Sequence, residues 1–169
     1  MKRTTLLLLA TAATLPATFA FASVAKTYTG RAGTPASSSE KEIAALFDRW
    51  NAALATGRPD QVARLYATNG VLAPTVSNEV RDTPAKIHDY FTKFLLLKPQ
   101  GQINYRQIRV LDDNTALDTG VYTFSLNDSG KTSKVQARYT YLYEKVGGEW
   151  KIMNHHSSAM PEPVDSSKL

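Results

Sequence analysis

The chain has 169 residues, no cysteine and a formal net charge of +5. That length accommodates one ordinary domain, and the lack of cysteine excludes disulfide scaffolds, thiolate nucleophiles and thiolate metal sites. The charge is mild and scattered, without a Lys/Arg run interleaved with aromatics, which argues against nucleic acid as a partner.

The N-terminus reads as a secretory signal over residues 1–22. Lys2-Arg3 precede an apolar run from Leu6 to Ala13, and Ala20-Phe21-Ala22 has the small-x-small form of a cleavage site, with cutting after Ala22 or Ala25. Cleavage would remove Lys2 and Arg3 and no acid, taking the charge from +5 to +3. The mature protein is then expected to be exported, to periplasm or medium, with no membrane association. Residues 23–38, with Gly30, Gly33, Pro35 and three serines at 37–39, read as a flexible lead-in.

The domain itself is expected over residues 39–161, with a flexible tail at 162–169. Ser39 is placed to cap a first helix, with Glu40 and Glu42 in its first turn. Ile43, Leu46, Phe47, Trp50 and Leu54 form one apolar stripe at helical spacing, and Gly57 ends it. A short second helix starts at Pro59, with Val62, Leu65 and Tyr66 inward. A brief strand follows at Val71-Leu72-Ala73-Pro74. Thr83-Pro84 opens a third helix that carries Ile87, Tyr90, Phe91, Phe94 and Leu95 inward and stops before Pro99.

From Gln102 the pattern alternates with period two. Strands are predicted from Ile103 to Leu111, from Ala116 to Leu126, and as a hairpin closed by Gly147-Gly148 between a tyrosine-rich strand and a strand from Trp150. Helices first and a four-stranded antiparallel meander afterwards mean an α+β fold, with helices on one face of a curved sheet. No repeat or glycine-rich phosphate loop is present, and no cofactor is expected.

Several strings carry a family resemblance. They are Phe47-Asp48-Arg49-Trp50-Asn51-Ala52-Ala53-Leu54, Leu65-Tyr66, Tyr90-Phe91, Arg138-Tyr139-Thr140-Tyr141-Leu142-Tyr143-Glu144, Trp150-Lys151-Ile152 and His155-His156-Ser157-Ser158-Ala159-Met160-Pro161. Together they resemble the nuclear transport factor 2-like (SnoaL-like) superfamily, and within it the association (hub) domain of calcium/calmodulin-dependent protein kinase II and its bacterial stand-alone relatives. The resemblance implies a cone-shaped fold with an internal pocket, and oligomers built through the sheet. Hub pockets hold acidic groups with arginines, of which Arg138 alone carries over, Tyr122 and Ser157 standing where others are expected. The superfamily's enzymes imply an alternative, a polyketide cyclase or steroid isomerase type working by proton transfer.

The candidate site residues follow from strand parity. If Arg138 shares an inward face with Leu142, it either pairs with Asp118 on the neighbouring strand or forks a ligand carboxylate. Trp150, Ile152, Asn154 and His156 would share the inward face of the last strand, which makes Arg138, His156, Tyr122, Tyr90, Asn154 and Trp50 candidate binders of a small acidic or polar molecule. His156 and Asp118 are the candidates for proton transfer, while Asp48 reads as a solvated helix residue. His155 and His156 face opposite sides and cannot chelate one ion together, so no metal is expected. Tyr139, Tyr141, Tyr143 and His155 would then form the outward face, an interface with a second copy of the chain. The reverse assignment of the two faces would move Arg138 outward and remove it from the pocket.

Overall fold

The computed structural model describes residues 26–169, apart from the Ser166 side chain. The signal sequence read at 1–22 and its cleavage sites lie outside the described residues. Helix α1 (Ser38–Ala55) is capped by Ser37, two residues before the serine expected. The Ser37 hydroxyl accepts from the Glu40 amide and the Glu40 carboxylate accepts from the Ser37 amide, a reciprocal cap. Its buried face is the predicted stripe of Ile43, Leu46, Phe47, Trp50 and Leu54. Helix α2 (Pro59–Ala63) is a single turn, and Tyr66, expected on it, instead opens strand β1 (Tyr66–Ala73). Thr83 caps α3 (Pro84–Phe94) with proline at its first turn, as the sequence predicts.

Strands β2 (Gln100–Val110), β3 (Thr115–Asp128), β4 (Lys131–Val146) and β5 (Glu149–Ala159) form the antiparallel meander. The five-stranded sheet has the order β1-β5-β4-β3-β2, with β1 parallel to β5. The three helices pack on its concave face, and the core lies between them. The fold is therefore the curved α+β sheet expected, with one parallel edge that the alternation pattern does not announce.

Two bulges shape the antiparallel part of the sheet. On β2, Ile103 faces Tyr122 but Tyr105 faces Val121, so Asn104 is the extra residue. Opposite it, a Cβ on Gly120 would lie 2.0 Å from the Tyr105 carbonyl oxygen, so the strands approach this closely only because that residue is glycine. On β5, Tyr143 faces Ile152 but Leu142 faces Asn154, leaving Met153 as the extra residue. That insertion inverts which side chains face inward along the rest of β5.

Residues 26–32 add an irregular strap across the convex face. Tyr28 exchanges backbone bonds with the Gln136 amide, and the Ala32 amide donates to the Ile103 carbonyl at 3.0 Å. The Gly30 carbonyl accepts from Asn104 and Gln102.

Candidate ligand cavity

The sheet parity corrects several expectations at once. Tyr139, Tyr141 and Tyr143 are buried at 2%, 0% and 1% exposure and form the concave face of β4. Three phenols bury more apolar surface than the alternative row of Arg138, Thr140 and Leu142, and they avoid burying a guanidinium. These tyrosines are not an exposed interface. Arg138 is exposed on the convex face, donating to Ser158 Oγ at 3.2 Å and lying 3.5 Å from the Ala159 carbonyl. It meets neither Asp118 nor the cone.

Beyond the Met153 bulge, His155 and Ser157 turn inward, while Asn154, His156 and Ser158 turn outward. His155, expected outside, is 3% exposed, and His156, expected inside, is exposed. Of the predicted binders, the structure brings together Trp50, Tyr90 and Tyr122. It does not bring Arg138, His156 or Asn154 to them.

Asp118 is fully buried, with Arg106 of β2 as its ion partner at 3.1 Å rather than Arg138. Tyr139 donates to the other carboxylate oxygen at 2.9 Å. Burial raises the Asp118 pKa to about 6, and Arg106 and Tyr139 only partly restore the carboxylate. Arg106 reads in sequence as an ordinary strand residue. The signal that could have found it is Gly120, a mid-strand glycine marking the bulge that alters the facing of β2.

Three of the predicted candidates line a cavity of about 60 Å³ under the β1–α3 connection. Its walls are the rings of Trp50, Tyr90, Phe91, Phe94, Tyr122 and Phe124, with aliphatic contributions from Leu72, Leu126, Val135 and Ala137. Thr75, His155 and Ser157 add polarity, and no Lys, Arg, Asp or Glu lines it. Val76 and Val135 stand at its rim, 69% and 38% exposed.

The polar groups are arranged by the strand ends. The His155 ring stacks on Tyr141 at 4.0 Å between centroids and meets Trp50 edge-on at 5.4 Å. Its Nδ1 is 2.9 Å from the Tyr66 hydroxyl, and its Nε2 is buried without a partner among the described residues. Burial, assisted by the nearby His156, pushes the His155 pKa down to about 3, so the ring is neutral in ordinary buffers. Tyr122 donates to Ser157 Oγ, which also bonds the Thr75 hydroxyl. Desolvation raises the Tyr122 and Tyr90 phenols above their usual range, so both stay protonated.

The family model of the calcium/calmodulin dependent protein kinase II association domain matches residues 39–161. The chain belongs to that family. Among solved structures, this association domain is similar to a calcium/calmodulin dependent protein kinase II association domain from Xanthomonas campestris. The two are 61% identical over 82% of this chain and 99% of that one, with a TM-score of 0.80. A nuclear transport factor 2-like protein with a cystatin-like fold from Novosphingobium aromaticivorans covers 76% of this chain and 86% of its own, at 13% identity and a TM-score of 0.61. A scytalone dehydratase from the same organism covers 76% and 90%, at 12% identity and a TM-score of 0.64. These last two likenesses concern the fold alone. No functionally curated protein matches the sequence.

Proposed function

We propose that this association domain is an exported, self-associating and non-catalytic module whose cavity binds a small, neutral, largely apolar molecule. The observation that carries the binding reading is the placement of Thr75, His155 and Ser157 in an otherwise apolar, ring-rich cavity. Ligand pockets are typically apolar with a few placed polar groups. The expectation of an acidic ligand rested on Arg138, which is on the other face, and no cation lines the cavity; the charge of the ligand is therefore revised to neutral.

Self-association is supported by the family and by the convex face, where Leu117 and Leu142 are directly opposite one another and only half-buried. Proton-transfer catalysis is the weaker reading. Asp118 titrates in a useful range but is closed by Arg106 and Tyr139 and does not line the cavity, and His156 is on the convex face.

Native mass spectrometry of the protein purified without denaturation tests both halves. The expected result is an oligomer carrying a small molecule that is lost in Val135→Trp, which plugs the rim, and an oligomer that dissociates in Leu142→Asp. A monomer that never retains or takes up a small molecule would overturn the reading.

A further inference from the structure

The polar groups in the cavity leave hydrogens that no neighbouring group accepts. Tyr122, Ser157 and Thr75 carry three hydroxyl hydrogens, yet two hydrogen bonds join them. Because Tyr122 donates to Ser157, the hydrogen left over belongs to Ser157 or Thr75, and both line the cavity. The second case is His155. The Tyr66 hydroxyl lies 2.9 Å from His155 Nδ1; assigning the phenol as donor gives its hydrogen an acceptor and places the imidazole proton on Nε2. That N–H is buried and without a partner among the described residues. His155 Nε2–H on β5 and the spare hydroxyl of Ser157 or Thr75 thus remain in the cavity lining, beside Trp50 Nε1–H, which is also without a partner among the described residues.

We propose that the cavity takes the carbonyl end of a neutral, otherwise apolar small molecule, its oxygen accepting from His155 Nε2–H and from the spare Ser157 or Thr75 hydroxyl. This inference rests on the neutral-ligand reading above. A ketone or aldehyde oxygen supplies lone pairs and no hydrogen, which matches a surplus of donors. An alcohol would bring a further hydrogen, which only the lone pairs of the lining hydroxyls could accept. A carboxylate would be stripped of water with no cation lining the site, and two neutral donors do not offset that loss.

The cavity sets the size. About 60 Å³ holds on the order of two to four non-hydrogen atoms, the head of a methyl ketone. The remainder of a longer chain leaves past Val76, Leu126 and Val135, all apolar. His155, Ser157 and Thr75 are thus assigned as specificity determinants.

Titration of the protein with 2-octanone, n-octane and octanoate at pH 7, followed by Trp50 fluorescence or calorimetry, tests the assignment. Binding of 2-octanone at least about tenfold tighter than either competitor is expected. The infrared carbonyl stretch of the bound ketone should fall below its position in hexane. His155→Phe, which keeps the ring and loses the donor, should narrow the ketone-to-octane gap to under about threefold. If that variant does not fold, the carbonyl stretch of the wild-type complex decides. Equal affinity for octane and ketone, or an unshifted stretch, overturns the carbonyl assignment and leaves the neutral cavity standing. Preference for octanoate overturns both, as does failure of all three probes to bind.

Discussion

Two buried polar clusters occupy the same concave face and behave oppositely. Around Asp118, a carboxylate meets a guanidinium at 3.1 Å and a phenol at 2.9 Å, so its charge is met inside the protein, although Arg106 Nε has no hydrogen-bond partner and Asp118 Oδ2 has only the ion pair. Around His155 and Ser157, His155 Nε2 has no partner among the described residues and one hydroxyl hydrogen of Ser157 or Thr75 is left over, and these residues line a cavity. A buried polar group left unpaired is costly, so a closed cluster reads as architecture and an open one as a place for something else. The expectation of a charged pocket would point to the Asp118 end. The geometry points to the other.

The largest effect expected from breaking this comparison is at Tyr141, in the ring stack between the clusters. Tyr141→Asp removes a fully buried ring and inserts a carboxylate beside His155. Loss of a buried aromatic alone costs about 3–5 kcal/mol, and the charge adds to it. That approaches the whole stability of an ordinary domain, so no cooperative thermal transition should be seen by circular dichroism. Had Tyr141 been an exposed interface residue, the same change would have yielded a folded monomer.

Next is Arg106→Met, which leaves Asp118 buried without its counter-charge and with Tyr139 as its remaining partner. Removing one partner of a buried pair costs about 3–5 kcal/mol in denaturant unfolding at pH 7. The deficit should shrink at pH 5, because a carboxyl whose pKa is already near 6 takes up its proton more readily without the guanidinium. A deficit independent of pH would show that packing, not the charge pair, explains the loss.

The clusters also oppose each other in their pH dependence. His155 has a folded pKa of about 3 against roughly 6.5 unfolded, so its contribution is intact above 6.5 and is lost as pH falls towards 3. Asp118 has a folded pKa of about 6 against a lower unfolded value, so its contribution is full at low pH and is lost as pH rises through 6. Between about pH 4 and 6 the two slopes cancel, each being roughly 1.4 kcal/mol per pH unit. Asp118→Asn should unmask the His155 slope, with stability falling on acidification, and His155→Gln the reverse. Identical slopes in the two variants would remove the linkage argument.

These effects show which parts of the molecule were legible in the sequence. The α1 stripe, the Thr83-Pro84 helix start and the Gly147-Gly148 hairpin are local patterns, and each appears where predicted. Strand facing is not local. Alternation says that Tyr139 and Arg138 differ, but not which is inside, and burial of three rings against one charge decides it. On β5 the alternation holds through Ile152 and then fails, because Met153 is an extra residue with no glycine or proline to mark it. His155 and Ser157 take their facing from that unmarked residue, whereas the bulge that turns Arg106 inward has Gly120 opposite it. Trp50, Tyr90 and Tyr122 were found because aromatic helix stripes and unbroken strand segments keep their phase.

The smallest effect expected, and the sharpest on the acidic-ligand idea, is Arg138→Ala. The guanidinium is exposed and holds only Ser158 and a strand-end carbonyl, so unfolding free energy should change by less than about 0.5 kcal/mol. Ligand affinity should also stay within about twofold, because the residue is on the convex face while the cavity opens on the concave one. A tenfold loss of affinity with unchanged stability would mean that the ligand sits on the convex face. A fall in subunit number with affinity unchanged would instead assign Arg138 to the self-association surface, where its strand neighbours Thr140 and Leu142 share its side of the sheet.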